Sequence, residues 1–566
     1  MKVRRCSARL RFVQVLALFL FGLVVSASTA LGQGSTSEVI RVYDVPQSDY
    51  SKLRFLGDFW GINWRDNYVN MNVTERGREA VETLGYRVET DLEKQAEVER
   101  FRAIDQADWR ARGLGGIAGF ACYRTVDETT SDLAALALAH PELARWEDIG
   151  DSWHKTASMR GGDEIWALIL GNNESPHEKA PLVVMAAQHA RELATAESAT
   201  RFAEWLVNGY VTNPTARWLL DHREIHIIAI QNPDGRREVE GDEPFWRKNA
   251  NTNFCAESLP GVDLNRNSPV FFGNQSSSGS ACSEVFRGLS ASSEPETTAI
   301  QNYLRSVFTD YRDDFDDAIP NTAEGIFHSI HSFGELILFP WEGLGGGSEN
   351  NAPNHDQLAW LGRKLGFFTD YRVGRTALGP AGGTTVDFAH GELGVAAYTY
   401  EIGTTFQQSC SSFESTIWPR VLDSLIYSAK AAARPYAAPL GPDVVDLAVN
   451  YDLGSNVIRI TGLADDTRYD RNGSPEAPFN DPISAINIVT ASLDVPPALA
   501  TATIDLVLNT NGSVADFSGT LDVNTLDLST PRLLFVQASD SDGNSGVPEA
   551  IWIRAQLFQD RFEGDL

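Results

Sequence analysis

The residues best suited to chemistry lie in the stretch 181–210, PLVVMAAQHARELATAESATRFAEWLVNGY, where His189-Ala190-Arg191-Glu192 stands between two patterned runs. An imidazole nitrogen and a carboxylate oxygen three residues apart are both good zinc ligands, but two ligands do not complete a catalytic zinc site. A third must come from elsewhere. The chain has ten histidines, and of the other nine His331 stands out, because it closes the apolar run 325–330 and is followed by Ser332, Phe333 and a second apolar run, 336–339. His328 competes for the role. An odd separation along a strand turns the two rings to opposite faces, so only one of them can look at the site.

Positioning these groups requires a strand that hands over to a helix. Residues 182–186 form a short apolar run that predicts a buried strand, and Ser198, Phe202, Trp205 and Leu206 fall at helical spacing after Ala194. The side chains between the two then lie at the carboxyl edge of the sheet, where open α/β folds place their ligand sites. An H-x-x-E tetrapeptide is common on its own, so the wider context has to decide.

That context resembles the zinc carboxypeptidases of the carboxypeptidase A type over roughly 120–436. HARE and SIHSFGELILFPW match the family's ligand segments, and NPDG at 232–235, FWRKN around Arg247, GVDLNRN at 261–267, CSEVFRGLSASSEPET from Cys282 and AGGTTVDFAHGELGVAAYTYEIG follow in family order. The resemblance implies one zinc ion held by His189, Glu192 and His331, with a fourth position for water. It implies that Glu401, stiffened by the apolar run 395–400, is the general base and that Arg247 stabilises the oxyanion. Asp263 would orient the first histidine. Asn265 and Arg266 match the pair that binds a substrate's terminal carboxylate, and Arg191 is expected in the neighbouring wall. Val386, the residue before Asp387, corresponds to the base of the side-chain pocket and favours apolar or aromatic C-terminal residues, or a mixed preference. Glu342 at another wall position would instead attract Lys or Arg.

The resemblance has one departure. The family's mobile tyrosine before the Gly-Gly turn is replaced in RTALGPAGGTTVD by Leu378 or Gly379, and neither Tyr371 nor His390 takes over its role by position. This leaves a catalytically weak, zinc-containing peptide binder as the alternative to an enzyme. A serine hydrolase is disfavoured, because the chain has no G-x-S-x-G elbow.

The fold class expected is α/β, a mixed and largely parallel sheet flanked by helices, with a small α/β prosegment before it and a C-terminal β-sandwich after it. Residues 1–30 read as a signal peptide: Lys2, Arg4, Arg5, Arg9 and Arg11 precede the apolar segment 12–25 and the small residues Ser28-Thr29-Ala30. Export is therefore expected. Residues 35–112 read as a prosegment-like module and connecting segment, with strands at 39–45, 68–73 and 86–91, a helix at 74–84 and a charged helical stretch at 92–112. The catalytic domain is expected at 118–434 and the β-sandwich at 443–558, beyond a proline-rich linker. Asp540-Ser541-Asp542-Gly543-Asn544 reads as a solvated hairpin turn rather than a calcium loop, since it lacks the later glutamate.

With Cys6 in the signal, four cysteines remain, an even number suited to an oxidising compartment. Cys255 and Cys282 match a family disulfide, which leaves Cys122 to Cys410. The net charge of −29 argues against nucleic acid as a partner. Peptide and protein C-termini are the expected partners, with no membrane span; oligomeric state is not specified.

Overall fold

The computed structural model describes residues 37–554 apart from 105–108, 110–111, 114, 158–161, 257–258, 453–454 and 474–479. The expected targeting head, and part of the connecting segment, lie outside the described residues. Three sheets follow one another along the chain.

The central sheet has eight strands in the spatial order Arg372–Gly374, Leu336–Leu338, Ala396–Glu401, Ile326–His331, Ala180–Ala186, Arg223–Ile228, Glu164–Leu170 and Ala144–Asp151. Its middle is parallel and its far edge antiparallel, so the sheet is mixed as expected. The two middle strands, Ala180–Ala186 and Ile326–His331, are buried on both faces, and the first is a near-continuous apolar run. That is the pattern of strands covered on both sides. The larger core packs helices Val126–Ala139, Leu193–Gly209, Pro214–His222, His355–Thr369 and Trp418–Ala431 on one face. Helices Pro295–Val307 and Thr385–Leu393 cover the other.

Before this sheet stands an antiparallel module of four strands, in the order Asp58–Asn63, Tyr68–Thr74, Ser37–Tyr43 and Arg87–Thr90, with helices Glu75–Thr83 and Leu92–Arg102. The strand Asp58–Asn63 was not expected; helix Leu92–Arg102 fills the first part of the charged stretch expected to be helical, and much of the remainder lies outside the described residues. The module's core is shared with the unit built on the central sheet: Leu336, Leu338 and Ala377 pack among Ile40, Leu53, Phe59 and Met71. Polar ties surround that contact, including Arg65 Nε to Glu335 Oε2 at 2.9 Å and Lys94 Nζ to Thr404 O at 2.7 Å.

After the central sheet come seven antiparallel strands from Asp443–Asp452 to Glu549–Ile553, which enclose their own apolar core. Strand Ile504–Leu508 pairs with both Ile486–Leu493 and Val514–Asp522 and so joins the two halves. Strands Val514–Asp522 and Glu549–Ile553 were not expected. Asp540 caps the turn 541–544 by accepting from Asp542 N at 2.9 Å and Asn544 N at 2.8 Å, which is hairpin-turn geometry. Both expected disulfides, Cys122–Cys410 and Cys255–Cys282, are formed. No helix among the described residues is long and apolar enough to cross a membrane.

The β-domain is tied to the central-sheet unit through helix His355–Thr369. Arg363 is buried, donates to Asp481 through Nε at 2.6 Å and Nη2 at 2.8 Å, and also reaches Asp470 O. Asp481→Ala would remove two charge-assisted hydrogen bonds from that buried guanidinium. It is expected to lower stability by about 3 kcal/mol, read as a shift of the urea midpoint with little change in slope.

Candidate active site

Strand Ala180–Ala186 ends in a kink. Ala187 takes φ of 50°, a left-handed conformation that costs a non-glycine residue roughly 1–2 kcal/mol. Three hydrogen bonds hold it there: Ala187 N to the Thr195 side-chain Oγ1, and the backbone pairs Gln231 N to Ala186 O and Asn232 N to Ala187 O. The turn places His189 and Glu192 immediately before helix Leu193–Gly209. His331 is the last residue of its strand and lies in register with Glu401, the last residue of the neighbouring strand. Two adjacent strand ends and one strand-to-helix turn therefore deliver His189, Glu192, His331 and Glu401 to the same sheet edge.

At that edge His189 Nδ1 is 2.8 Å from Glu192 Oε1, His331 Nδ1 is 3.0 Å from Glu192 Oε2, and the two Nδ1 atoms are 3.0 Å apart. This is the one His/Cys/Asp/Glu group among the described residues able to hold a metal ion. The outer nitrogens are taken: His189 Nε2 faces Asp263 Oδ1 at 3.1 Å, and His331 Nε2 faces Gln188 Oε1 at 3.1 Å. Both partners are acceptors, so each imidazole carries its proton on Nε2. Both Nδ1 lone pairs then point into one gap beside a carboxylate. Lone pairs at that separation repel unless a cation lies between them, and an N/N/O donor set fits zinc. His328, as the strand alternation requires, turns the other way and packs on Tyr398 and Tyr400.

The electrostatics favour the same protonation states. Burial, and then the Arg247 charge, push the His189 imidazole down and keep it neutral. Burial works against charge on Asp263, but Arg247 and Arg266 outweigh it and hold the carboxyl well below the usual range. Asp263 spans two roles, since its second oxygen accepts from Arg247 Nη2 at 2.9 Å and Nε at 3.2 Å. Burial, and then the charge of Glu192, push Glu401 well above the ordinary glutamate value. That suits a group that must gain and lose a proton.

His189, Glu192, Arg247, Asn265, Arg266 and Glu401 line one cavity. Asn265 Oδ1 accepts from Thr385 N at 3.1 Å, which turns its amide nitrogen outward as a donor. Arg266 donates Nε to Ser276 O and Nη1 to Asn265 O, which leaves Nη2 for the cavity. Gly383, at φ 81°, lets the backbone pass close behind it, because a Cβ there would lie 2.3 Å from Arg266 O.

Two expected positions fall elsewhere. Val386 is in the first turn of helix Thr385–Leu393 and faces the core with Val183, Phe327 and Ala397; Leu338, Glu342, Ala381, Thr384 and Thr399 form the cavity wall instead. Arg191 is buried away from the cavity, where Nη1 pairs with Asp58 Oδ2 of the N-terminal module at 2.7 Å and the guanidinium stacks on Phe406. Leu378 and Gly379 both line the cavity where the family tyrosine was sought, while Tyr371 accepts from Gly403 N and His390 bonds Val395 O.

Other contributors were not read from the sequence. Gln188 directly precedes His189, and its adjacency to a ligand was the available signal. Arg54, Phe59 and Trp60 enter the cavity from the N-terminal module, with Arg54 Nη2 donating to Leu378 O at 2.8 Å. Burial, then the charges of Arg266 and Arg247, lower its guanidinium to about 9. About 60 Å³ of free space remains, room for a few waters but not for an amino-acid residue.

A family model described as zinc carboxypeptidase matches residues 129–424. A zinc carboxypeptidase of Simulium vittatum is 30% identical over 295 residues, which are 50% of this chain and 85% of that relative. Carboxypeptidase A1 of Bos taurus is 26% identical over 294 residues, 50% of this chain and 64% of the bovine protein. Among solved structures, carboxypeptidase A from Helicoverpa armigera shares the fold with a TM-score of 0.56 at 23% identity, covering 70% of this chain and 97% of that one.

Because three side chains share one gap, removing one should release most of the metal. His331→Ala is expected to lower bound divalent metal at least tenfold after dialysis, as measured by elemental analysis, with the far-ultraviolet circular dichroism retained.

Proposed function

Since this chain belongs to the zinc carboxypeptidase family, we propose that it is an exported peptidase that removes residues one at a time from peptide and protein C-termini, with one zinc ion held by His189, Glu192 and His331. The observation that carries this reading is the single cavity in which the His/Glu/His group, the Glu401 carboxyl and the Asn265–Arg266 donors meet. Zinc, when bound, supplies a Lewis acid and lowers the pKa of water towards about 7.

The chain's own groups supply the rest. Arg266 Nη2 and the Asn265 amide take the substrate's terminal carboxylate by parallel, charge-assisted hydrogen bonds, which fixes the scissile carbonyl in register with the charged groups. Glu401 takes the proton that the attacking water gives up and returns it to the leaving amine nitrogen. Its raised pKa brings it closer to that amine's demand than an ordinary glutamate would be. Arg247, held in place by Asp263, donates to the oxygen on which negative charge develops.

The N-terminal module is read here as an inhibitory prosegment, because Arg54, Phe59 and Trp60 occupy the space a substrate's last residue needs. Arg191 serves that state rather than the substrate, as the buried partner of Asp58. Cleavage in the connecting segment after Arg102 or Arg112 would release it. The two disulfides favour an oxidising, extracytoplasmic setting. The missing clamp tyrosine weakens binding more than chemistry, since no proton or charge in the scheme depends on it.

Protein nicked in the connecting segment is expected to hydrolyse blocked dipeptides, lose that activity to a chelator and regain it with zinc. Glu401→Gln should keep its metal and lose about a thousandfold or more in kcat, whereas a peptide-binding protein without catalysis would show no activity for that change to remove. The acid limb of kcat/KM should lie above the usual glutamate range, because activity needs the Glu401 carboxylate and is lost as pH falls through its raised pKa. Equal cleavage of a C-terminally amidated peptide would contradict carboxylate recognition.

A further inference from the structure

Resting on the one-zinc reading above, we propose that Gln188 and Thr385 are positioning residues for the metal centre: the Gln188 amide, held by Thr385, keeps the His331 imidazole in the tautomer that presents Nδ1 to the metal gap. Gln188 Oε1 lies 3.1 Å from His331 Nε2, and Gln188 Nε2 donates to Thr385 Oγ1 at 2.9 Å. Thr385 N in turn donates to Asn265 Oδ1 at 3.1 Å. All four residues are buried, so bulk water does not compete for these links.

The two histidines of the cluster are oriented by different means. His189 has the Asp263 carboxylate, whereas the outer nitrogen of His331 meets Gln188 Oε1 and, at 3.0 Å, the Ser329 hydroxyl. A hydroxyl donates or accepts, so Ser329 suits either tautomer of the ring. An amide oxygen only accepts. With Oε1 towards the ring, Nε2 carries the proton and Nδ1 keeps its lone pair for a metal. Turned over, the amide would donate to Nε2 and leave the proton on Nδ1, inside the gap, where a cation could not bind.

Thr385 keeps the amide in place from its far end. It opens helix Thr385–Leu393, and Thr384 caps that helix by accepting from Asp387 N, so the hydroxyl that receives Gln188 Nε2 sits on a fixed turn. The Gln188 main chain is pinned as well, its carbonyl accepting from Asn232 Nδ2 at 3.2 Å. Valine at 385 would leave the amide nitrogen buried without an acceptor, and turning over would satisfy it only by reversing the ring's tautomer. Since the Thr385 N–H also holds Asn265, one helix start sets both a metal ligand and the clamp for the terminal carboxylate, which fixes their separation.

The test dialyses the zinc-loaded full chain against graded concentrations of a chelator and reads the retained zinc by elemental analysis. Gln188→Ala and Thr385→Val are each expected to raise the apparent zinc dissociation constant about 10-fold or more, the usual effect of removing a partner from a ligand histidine. Gln188→Glu restores an acceptor of the kind Asp263 gives His189 and is expected to hold zinc within roughly threefold of the wild type. Unchanged zinc retention in Gln188→Ala or Thr385→Val overturns the proposal. So does a Gln188→Glu variant as weak as Gln188→Ala, because that pattern marks a packing role alone. Should Gln188→Ala not fold, Thr385→Val decides by the same readout with its circular dichroism retained, since it leaves every charged group and the backbone contact to Asn265 in place. A wild type that takes up no zinc sinks the carboxypeptidase reading itself, whereas a zinc-binding wild type with unaffected variants sinks only this inference.

Discussion

Two imidazole nitrogens held 3.0 Å apart beside a carboxylate, all of them buried, are the constraint on which the rest of this molecule depends. Such a cluster is stable only if every outer nitrogen has an acceptor and every surplus charge a partner. Asp263 meets both needs at once, with one oxygen on His189 and the other on Arg247. Its own charge is held by Arg247 and Arg266. The groups that would act on a substrate are thus the same groups that make the metal cluster tolerable, so geometry and electrostatics cannot be varied independently here.

The fold contributes by ending several elements at one edge. His331 and Glu401 close adjacent parallel strands, and the strained Ala187 turn brings in His189 and Glu192 from a third. The Gly383 turn and the start of helix Thr385–Leu393 then fix Asn265 and Arg266 from behind. Strand ends are rigid in a way that loops are not, and His331 and Glu401 sit on them. The N-terminal module closes the same edge from outside, using a shared apolar core rather than surface charge alone.

Much of this is legible in the chain. The apolar run before His189, the helical spacing after it and the strand parity that separates His331 from His328 are local signals, and local signals survive in sequence. What was not legible depends on partners far away. Arg191 reads as an active-site cation until Asp58, 133 residues earlier, captures it. Val386 reads as a pocket residue because it precedes Asp387. Thr384 caps the helix, however, and the first helical turn swings Val386 onto the core face. Strands Asp58–Asn63 and Val514–Asp522 carry glycine, asparagine or serine within them, which breaks the alternation that marked the other strands. Arg54 carried no motif at all; only the docking of one unit on another puts it in the cavity.

Zinc-edge anomalous diffraction from crystals of the protein as purified tests the central claim most directly. A single strong peak is expected in the gap between His189, Glu192 and His331, at about 2.0–2.1 Å from the Nδ1 atom of each histidine. A peak elsewhere, or none in protein that hydrolyses a C-terminal residue, would contradict the account.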